Sequence, residues 1–272
     1  MKHALLLGLL VIMGACSSPS PAIAPAPVGA AAGLRMRDNW RSTVVVQRDD
    51  SIVLTMPTGV HQLQRYHRVA GFTVAVGLGG NVSIRLDSLR TQPASATDIA
   101  AANGATWTGR LGDPSIGALR AAGGNNDATE LTSVVRHLLP RLPAAGAMPK
   151  ATWRDSATGA TSTDVFKVTE RRTATWSTGT IGGPASQRAL PIQLSEDFEQ
   201  VGDGSQDYRR ITITSQGRRS GTYYLDISGR IRGAELTDSS AMSIGVPELK
   251  EVMSGTRVTR TEIRFIPING DS

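Results

Sequence analysis

The stretch Phe72-Thr-Val-Ala-Val-Gly-Leu-Gly-Gly-Asn-Val-Ser-Ile-Arg-Leu-Asp87 decides the class of the fold. Phe72, Val74 and Val76 alternate with Thr73 and Ala75. Val82, Ile84 and Leu86 alternate with Ser83, Arg85 and Asp87. Successive side chains of a strand point to opposite faces, so each run has one apolar face and one polar face. Gly77 to Asn81 lies between them and supplies the turn. The stretch therefore predicts a β-hairpin with one buried side. Its glycines lack the spacing of a phosphate cradle and precede a strand rather than a helix.

The same pattern recurs on both sides. Upstream, Ile52, Leu54 and Met56 share a face before a turn at Pro57-Thr58-Gly59, and Leu63 to Val69 reads as a poorly alternating strand. Downstream, Ala105 to Arg110 and Ile116 to Arg120 are expected to pair across Gly112-Asp113-Pro114. Ser95 to Ala102 reads as a short helix. Leu131, Val134, Val135, Leu138 and Leu139 fall at helical spacing, which predicts a helix over Thr129 to Leu139, capped by Asp127 or Thr129 and ended by Pro140. Prolines punctuate residues 140–153 and make a hinge there.

The second half repeats the style. Asp164 to Glu170 and Arg172 to Ser177 suggest a hairpin around Arg171. Leu190 to Gln200 reads as a strand and Gly202-Asp203-Gly204-Ser205 as a turn. Ile211 and Ile213 point inward, with Arg210, Thr212 and Thr214 outward. After a turn containing Ser220, Tyr223, Leu225 and Ile227 point inward, with Tyr224 and Asp226 outward. Ser228-Gly229 turns the chain into a strand over Arg230 to Leu236. Pro247 to Met253 reads as a short helix, and Ile263 and Phe265 close the core, with Arg260, Glu262 and Arg264 outward. The expected fold is mainly β (α+β): a large antiparallel sheet, curved or duplicated, with one or two short packing helices. The order of elements over Gly104 to Leu119 and Gly221 to Leu236 suggests two similar halves, 39–143 and 150–268.

Outside the 39–268 body the chain is of another kind. A short basic start, Lys2-His3, precedes an apolar run from Ala4 to Met13 that is shorter than the roughly 20 residues of a spanning helix. Residues 1–15 read as a signal peptide. Met13-Gly14-Ala15-Cys16 resembles the lipobox of bacterial lipoproteins, with Met13 where Leu is usual. The resemblance implies cleavage before Cys16, the only cysteine, and acyl chains, palmitate among them, on its thiol and new amine. Several acyl chains on one residue anchor a protein stably. Ser17 in place of Asp implies the outer membrane of the cell envelope, with a periplasmic body. Residues 16–38, rich in Pro, Ala and Gly, read as an extended tether reaching on the order of 50 Å. The proline-punctuated link followed by Trp153 and Asp155 resembles that of uncharacterised β-rich envelope lipoproteins, which implies a fold and no activity.

No reaction chemistry follows from spacing. The motif Gly-x-Ser-x-Gly is absent; Gly217-Arg218-Arg219-Ser220-Gly221 only resembles it, with Ser220 as a turn residue. His61, His67 and His137 do not cluster with metal-ligand spacing, and Glu196, Asp197, Asp203 and Asp207 read as a solvated acidic region without a calcium-loop pattern. No catalytic residue, metal or cofactor is expected. The formal charge of +6 is spread over Arg171-Arg172, Arg209-Arg210, Arg218-Arg219, Arg230 and Arg232. None sits on a nucleic-acid module, so these arginines read as solvated strand faces and no nucleic-acid partner is expected. The remaining idea is non-enzymatic: binding or envelope organisation, with the membrane as partner through the lipids on Cys16 and an envelope protein or an apolar ligand as a further partner. An apolar or amphiphilic ligand would sit in a groove between sheet and helices, by fold analogy with the lipoprotein-localisation factors. Its largest wall candidates are Trp107, Trp153, Trp176, Tyr223 and Phe265, which otherwise fill the core. A hydrolase is the remote alternative.

Overall fold

The computed structural model describes residues 17–18, 33–94, 102–111, 126–162, 166–184, 188–206 and 208–268. Ten antiparallel strands form one sheet. They are β1 (Trp40–Thr55), β2 (His61–Val76), β3 (Asn81–Gln92), β4 (Thr106–Arg110), β5 (Thr152–Ser162), β6 (Phe166–Thr178), β7 (Ala189–Gln206), β8 (Arg209–Asp226), β9 (Ile231–Val246) and β10 (Glu251–Pro267). Each strand pairs with the next except β4 with β5, and β10 pairs with β1. The order across the sheet is therefore β5 to β10, then β1 to β4. The short stretch Ser17–Ser18 lies antiparallel to Thr158 and Gly159 on the β5 edge. Among the described residues one α-helix, α1 (Asn126–Val135), lies in the connection between β4 and β5.

The sheet is curled around that connection. Trp107 of β4 donates its indole N–H to Thr132 Oγ1 of α1 at 3.1 Å. Tyr223 of β8 donates its hydroxyl to the His137 carbonyl at 2.9 Å. Leu131, Val134, Val135, Leu138 and Leu139 are all buried in the larger core cluster, with Phe72, Ile84, Trp176, Ile192 and Leu225 of the sheet. A second, smaller cluster fills the other end of the curl: Ile52, Leu54, Phe166, Val168, Ile211, Ile213, Met242, Ile244 and Met253. Each such side chain taken out of water contributes roughly 1.5–3 kcal/mol.

The Phe72–Asp87 hairpin forms as expected, with Val76 opposite Val82 and a 3₁₀ turn at Leu78–Gly80. The inward faces of Ile211, Ile213, Tyr223, Leu225, Ile263 and Phe265 also match. Strand lengths do not. Arg171 is no hairpin tip but lies inside β6, Gly202 to Ser205 lie inside β7, and Ser220 lies inside β8. Polar and glycine residues on the inward phase interrupt the apolar pattern without interrupting the ladder. β4 pairs with β3; its expected partner Ile116–Arg120 lies outside the described residues, as do residues 95–101 and the rest of the suggested first repeat. The helix begins earlier and ends earlier than expected. Past Val135 the chain tightens into turns, His137 N–H bonding to the Val134 carbonyl, which still carry Leu138 and Leu139 into the core. At Pro247–Leu249 there is a single 3₁₀ turn, and strand resumes at Glu251. At the β8–β9 turn Ile227 is exposed and Asp226 buried, opposite to the expectation. Asp226 Oδ1 accepts the backbone N–H groups of Ser228 and Arg230, each at 2.9 Å, and so holds the turn.

Gly217 is required by close approach. A Cβ there would lie 2.3 Å from the Ser239 carbonyl oxygen and 2.8 Å from the Phe198 ring. The ring thus lies over bare backbone. The Gly217→Ala variant is expected to lose about 1–3 kcal/mol through overpacking, read as a lower urea midpoint at unchanged slope.

Candidate functional site

Mid-way along the strands, between the two apolar clusters, the inward positions are polar. One cross-strand row shows how the register builds this belt. Glu196 of β7 faces Arg219 of β8, Arg219 faces Asp238 of β9, Asp238 faces Thr259 of β10, and Thr259 faces Asp50 of β1. The neighbouring rows add Arg172, Glu170 and Gln200 on one side and Arg48 on the other. The charges were expected on solvated faces. Instead the Arg dyads are split by the two-residue period: Arg171 and Arg218 point out, while Arg172 and Arg219 point in and are buried. Glu196, expected in a solvated acidic region, is 2 % exposed.

Two nodes organise the belt. In the first, Arg219 donates to both oxygens of Asp238 at 2.7 and 3.1 Å and to Glu196 Oε1 at 2.5 Å. Its guanidinium also lies 5.5 Å from the centre of the Phe198 ring. His137 Nδ1 lies 2.8 Å from the Ser133 carbonyl, which assigns the proton to Nδ1. Its Nε2 lies 2.5 Å from Arg219 Nη1 and 3.4 Å from Glu196 Oε1. In the second node, Asp50 Oδ1 accepts from Arg257 Nη2 and Thr259 Oγ1, both at 2.6 Å, and Oδ2 from Arg48 Nε at 3.1 Å. Glu170 accepts from Gln200 at 2.7 Å. Arg172 lies 4.0 Å from Glu196, and its two terminal nitrogens have no hydrogen-bond partner among the described residues.

These contacts decide the charge states. Burial alone would raise the Asp50 carboxyl, but Arg48, Arg257 and Thr259 outweigh it and hold the group far below the ordinary range. Burial likewise acts against Glu196, yet Arg219 and His137 bring it from 4.5 down to about 2. Asp155 goes the other way. Burial raises it, and Arg141 at 3.3 Å only partly offsets this, while Glu196 adds repulsion.

The belt encloses little space. A cavity of about 50 Å³ lies among Arg48, Glu170, Arg219, Asp238 and Arg257, with Ser133 and His137 from the helical side. That is room for a water or two with many polar partners. Of the groove candidates, Trp107, Trp176, Tyr223 and Phe265 are buried in the larger cluster and Trp153 packs partly buried against it. Trp153 stacks on Trp176 at 6.1 Å, Trp176 contacts Tyr223 at 5.8 Å, and Phe265 meets Trp40 edge-on at 6.0 Å. The structure thus brings Trp153, Trp176 and Tyr223 together, and leaves Trp107 and Phe265 on other strands. On β2 His61 is exposed and His67 half-buried, whereas His137 is buried in the belt.

The outer face is different in kind. A groove of about 670 Å³ crosses β5 to β9 and is lined by Thr158, Arg171, Asp197, Glu199, Gln216 and Arg218. A second, of about 530 Å³, crosses β8 to β1 and is lined by Asp49, Thr222, Glu235, Arg260 and Glu262. Charges of both signs thus stand at mid-strand on the outside, where a lipid-facing strand carries a band of apolar residues. This wall is built to face water.

The belt makes acid the weak point. A carboxylate whose pKa is lowered on folding stabilises the fold above its unfolded pKa. That stability is lost as pH falls through the folded pKa. Stability is therefore expected to fall between pH 4.5 and about 2, read as urea midpoints against pH. The Glu196→Gln variant is expected to be about 3–5 kcal/mol less stable at neutral pH, because Arg219 keeps a buried, under-compensated charge, and to show a shallower acid slope.

No family model matches the chain, and no curated protein matches it. Among solved structures it is similar to an outer membrane channel from Pseudomonas putida F1, at 11% identity over 88% of this chain and 100% of that one, with a TM-score of 0.28. A likeness at that level carries no argument about fold or function.

Proposed function

We propose that the chain is a lipid-anchored protein of the bacterial cell envelope, held at the outer membrane by acyl chains on Cys16, whose periplasmic body works by binding or organising partners rather than by catalysis. The observation that carries this reading is the polarity of the outer wall. A wall with Arg, Asp and Glu at mid-strand does not insert in lipid, so membrane attachment falls to another device. The apolar run ending at Met13-Gly14-Ala15-Cys16 provides one. The two outer grooves are the open polar surfaces a partner would meet.

The small space within the belt supports a non-enzymatic body. Glu196 and Arg219 are buried, and the space between the charged groups is about 50 Å³, too small for a substrate of any size. Carriage of an apolar ligand would need apolar space between sheet and helix. There Trp107, Tyr223, Leu138 and Ile192 pack against one another in one core, which favours the binding or scaffold reading over the carrier.

Cys16→Ala tests the anchor. The parent chain is expected in the membrane fraction, with an acylated amino-terminal peptide by mass spectrometry. The variant is expected to lose that acylation and to leave the membrane fraction once its leader is removed. Retention of a leaderless Cys16→Ala chain on membranes washed in high salt, which screens electrostatic docking, would overturn the reading.

A further inference from the structure

We infer that one end of the curled sheet is a docking face for an anionic lipid surface. This rests on the lipid-anchored reading above and adds to it an orientation of the body. The end in question carries the turn at Leu78–Gly80, the turn between β8 and β9, and the start of β1. It is also where the chain arrives from the amino-terminal side. Leu34 and Ala147 exchange backbone hydrogen bonds at 2.9 Å, and the Arg37 N–H donates to the Gly229 carbonyl at 2.8 Å. Residues 33–37 thus enter the body at this end, while Ser17–Ser18, next to Cys16, pair with Gly159 and Thr158 on the β5 edge.

Charge separates the two ends. Around the arrival point stand Arg35, Arg37, Arg41, Arg110, Lys150 and Arg188, against Asp38 and Asp226. Arg110 is held at the tip of the first turn by donating to the Gly79 carbonyl at 3.1 Å. At the opposite end Lys167, Arg209, Arg210 and Lys250 meet Asp203, Glu248 and Glu251. There Arg210 is already engaged, its guanidinium with Asp203 and its backbone N–H with Glu248. Both ends expose apolar tips: Leu78 (77%), Ile227 (55%) and Ile266 (51%) on the basic end, Tyr208, Val60 and Leu249 on the other. Among the described residues the basic end combines apolar tips with the larger excess of positive charge, six basic residues against two acidic ones. Apolar side chains that reach the headgroup boundary, ringed by Arg and Lys, are the chemistry that binds an anionic membrane interface.

The test uses the full lipidated chain in vesicles of phosphatidylethanolamine and phosphatidylglycerol. With Cys16 acylated, Ile227→Cys and Leu249→Cys each supply one free thiol for an environment-sensitive fluorophore. The label at 227 is expected to be quenched by spin-labelled lipid and the label at 249 to remain unquenched. Equal quenching, or quenching at 249 alone, overturns the inference. Replacing Arg35, Arg37 and Arg41 by Gln is expected to weaken docking by about fivefold per charge, seen as loss of quenching at 227 while the lipids keep the chain on the vesicle. Quenching that survives this change overturns the electrostatic part. If mass spectrometry finds no acyl group on Cys16, the anchor reading fails by itself. The docking face is then judged by co-sedimentation of that chain. Binding to phosphatidylglycerol but not to phosphatidylcholine vesicles sustains it, and binding to neither overturns it.

Discussion

Everything inside this protein is arranged around the buried guanidinium of Arg219. It carries the ion pairs to Glu196 and Asp238, meets His137 from the helical connection, and lies over the Phe198 ring. An arginine is the cation suited to this place. Its planar fork reaches two carboxylates at once and its faces tolerate an aromatic ring. Taking such charges out of water costs several kcal/mol each, so the belt is a poor source of net stability. Its contribution is to register. If β8 slipped by one residue, Arg218 or Ser220 would stand opposite Glu196, and every inward side chain of the strand would turn to the solvent. The apolar clusters above and below supply the burial free energy; the belt makes one alignment of long strands much better than its neighbours.

The belt also joins the helix to the sheet. His137 lies just past α1, and its ring and its carbonyl are both engaged, by Arg219 and by Tyr223 on the same strand. Edge strands β4 and β5 do not pair with each other, so the interior would be open along that seam. The connection that carries α1 fills it, tied to β4 through Trp107 and to β5 through the Trp153 indole on the Arg141 carbonyl at 3.0 Å. Sheet, belt and connection thus share a single set of side chains. The aromatic residues, only 4% of the sequence, are concentrated where those parts meet.

How much of this was legible follows from what a local pattern can hold. The Phe72–Asp87 hairpin was, because apolar residues mark one face without a break. So were the two ends of β8, through Ile211 and Ile213 and through Tyr223 and Leu225. Its middle was not: Ser215, Gly217, Arg219 and Gly221 occupy the inward phase and look like a turn. Continuing the two-residue count from Ile213 to Tyr223 would have placed Arg219 on the inside, and the same count places Glu196 between Leu194 and Phe198. The partners could not be read that way. That Asp50 meets Arg257, and Glu196 meets His137, depends on how six strands curl, which no window of sequence contains. The large aromatic residues were recognisable as such, but their role as packing around α1 needed the curl as well.

The pairing of β10 with β1 has a consequence in time rather than in energy. Asp50 and Thr259, whose hydrogen bond joins the two strands at the belt, stand 209 positions apart in the chain. Until the last strand is present, β1 lacks its neighbour, Asp50 lacks Arg257, and the smaller apolar cluster lacks Met253. Contacts of such separation must overcome a large loop-closure entropy before they contribute anything, so the final step of folding is slow and depends on the whole chain. A partly synthesised chain of this sequence lacks the contacts that close the sheet between β10 and β1. It stays open until its end arrives, which is the condition any machinery that threads an unfolded chain through a membrane requires of its cargo.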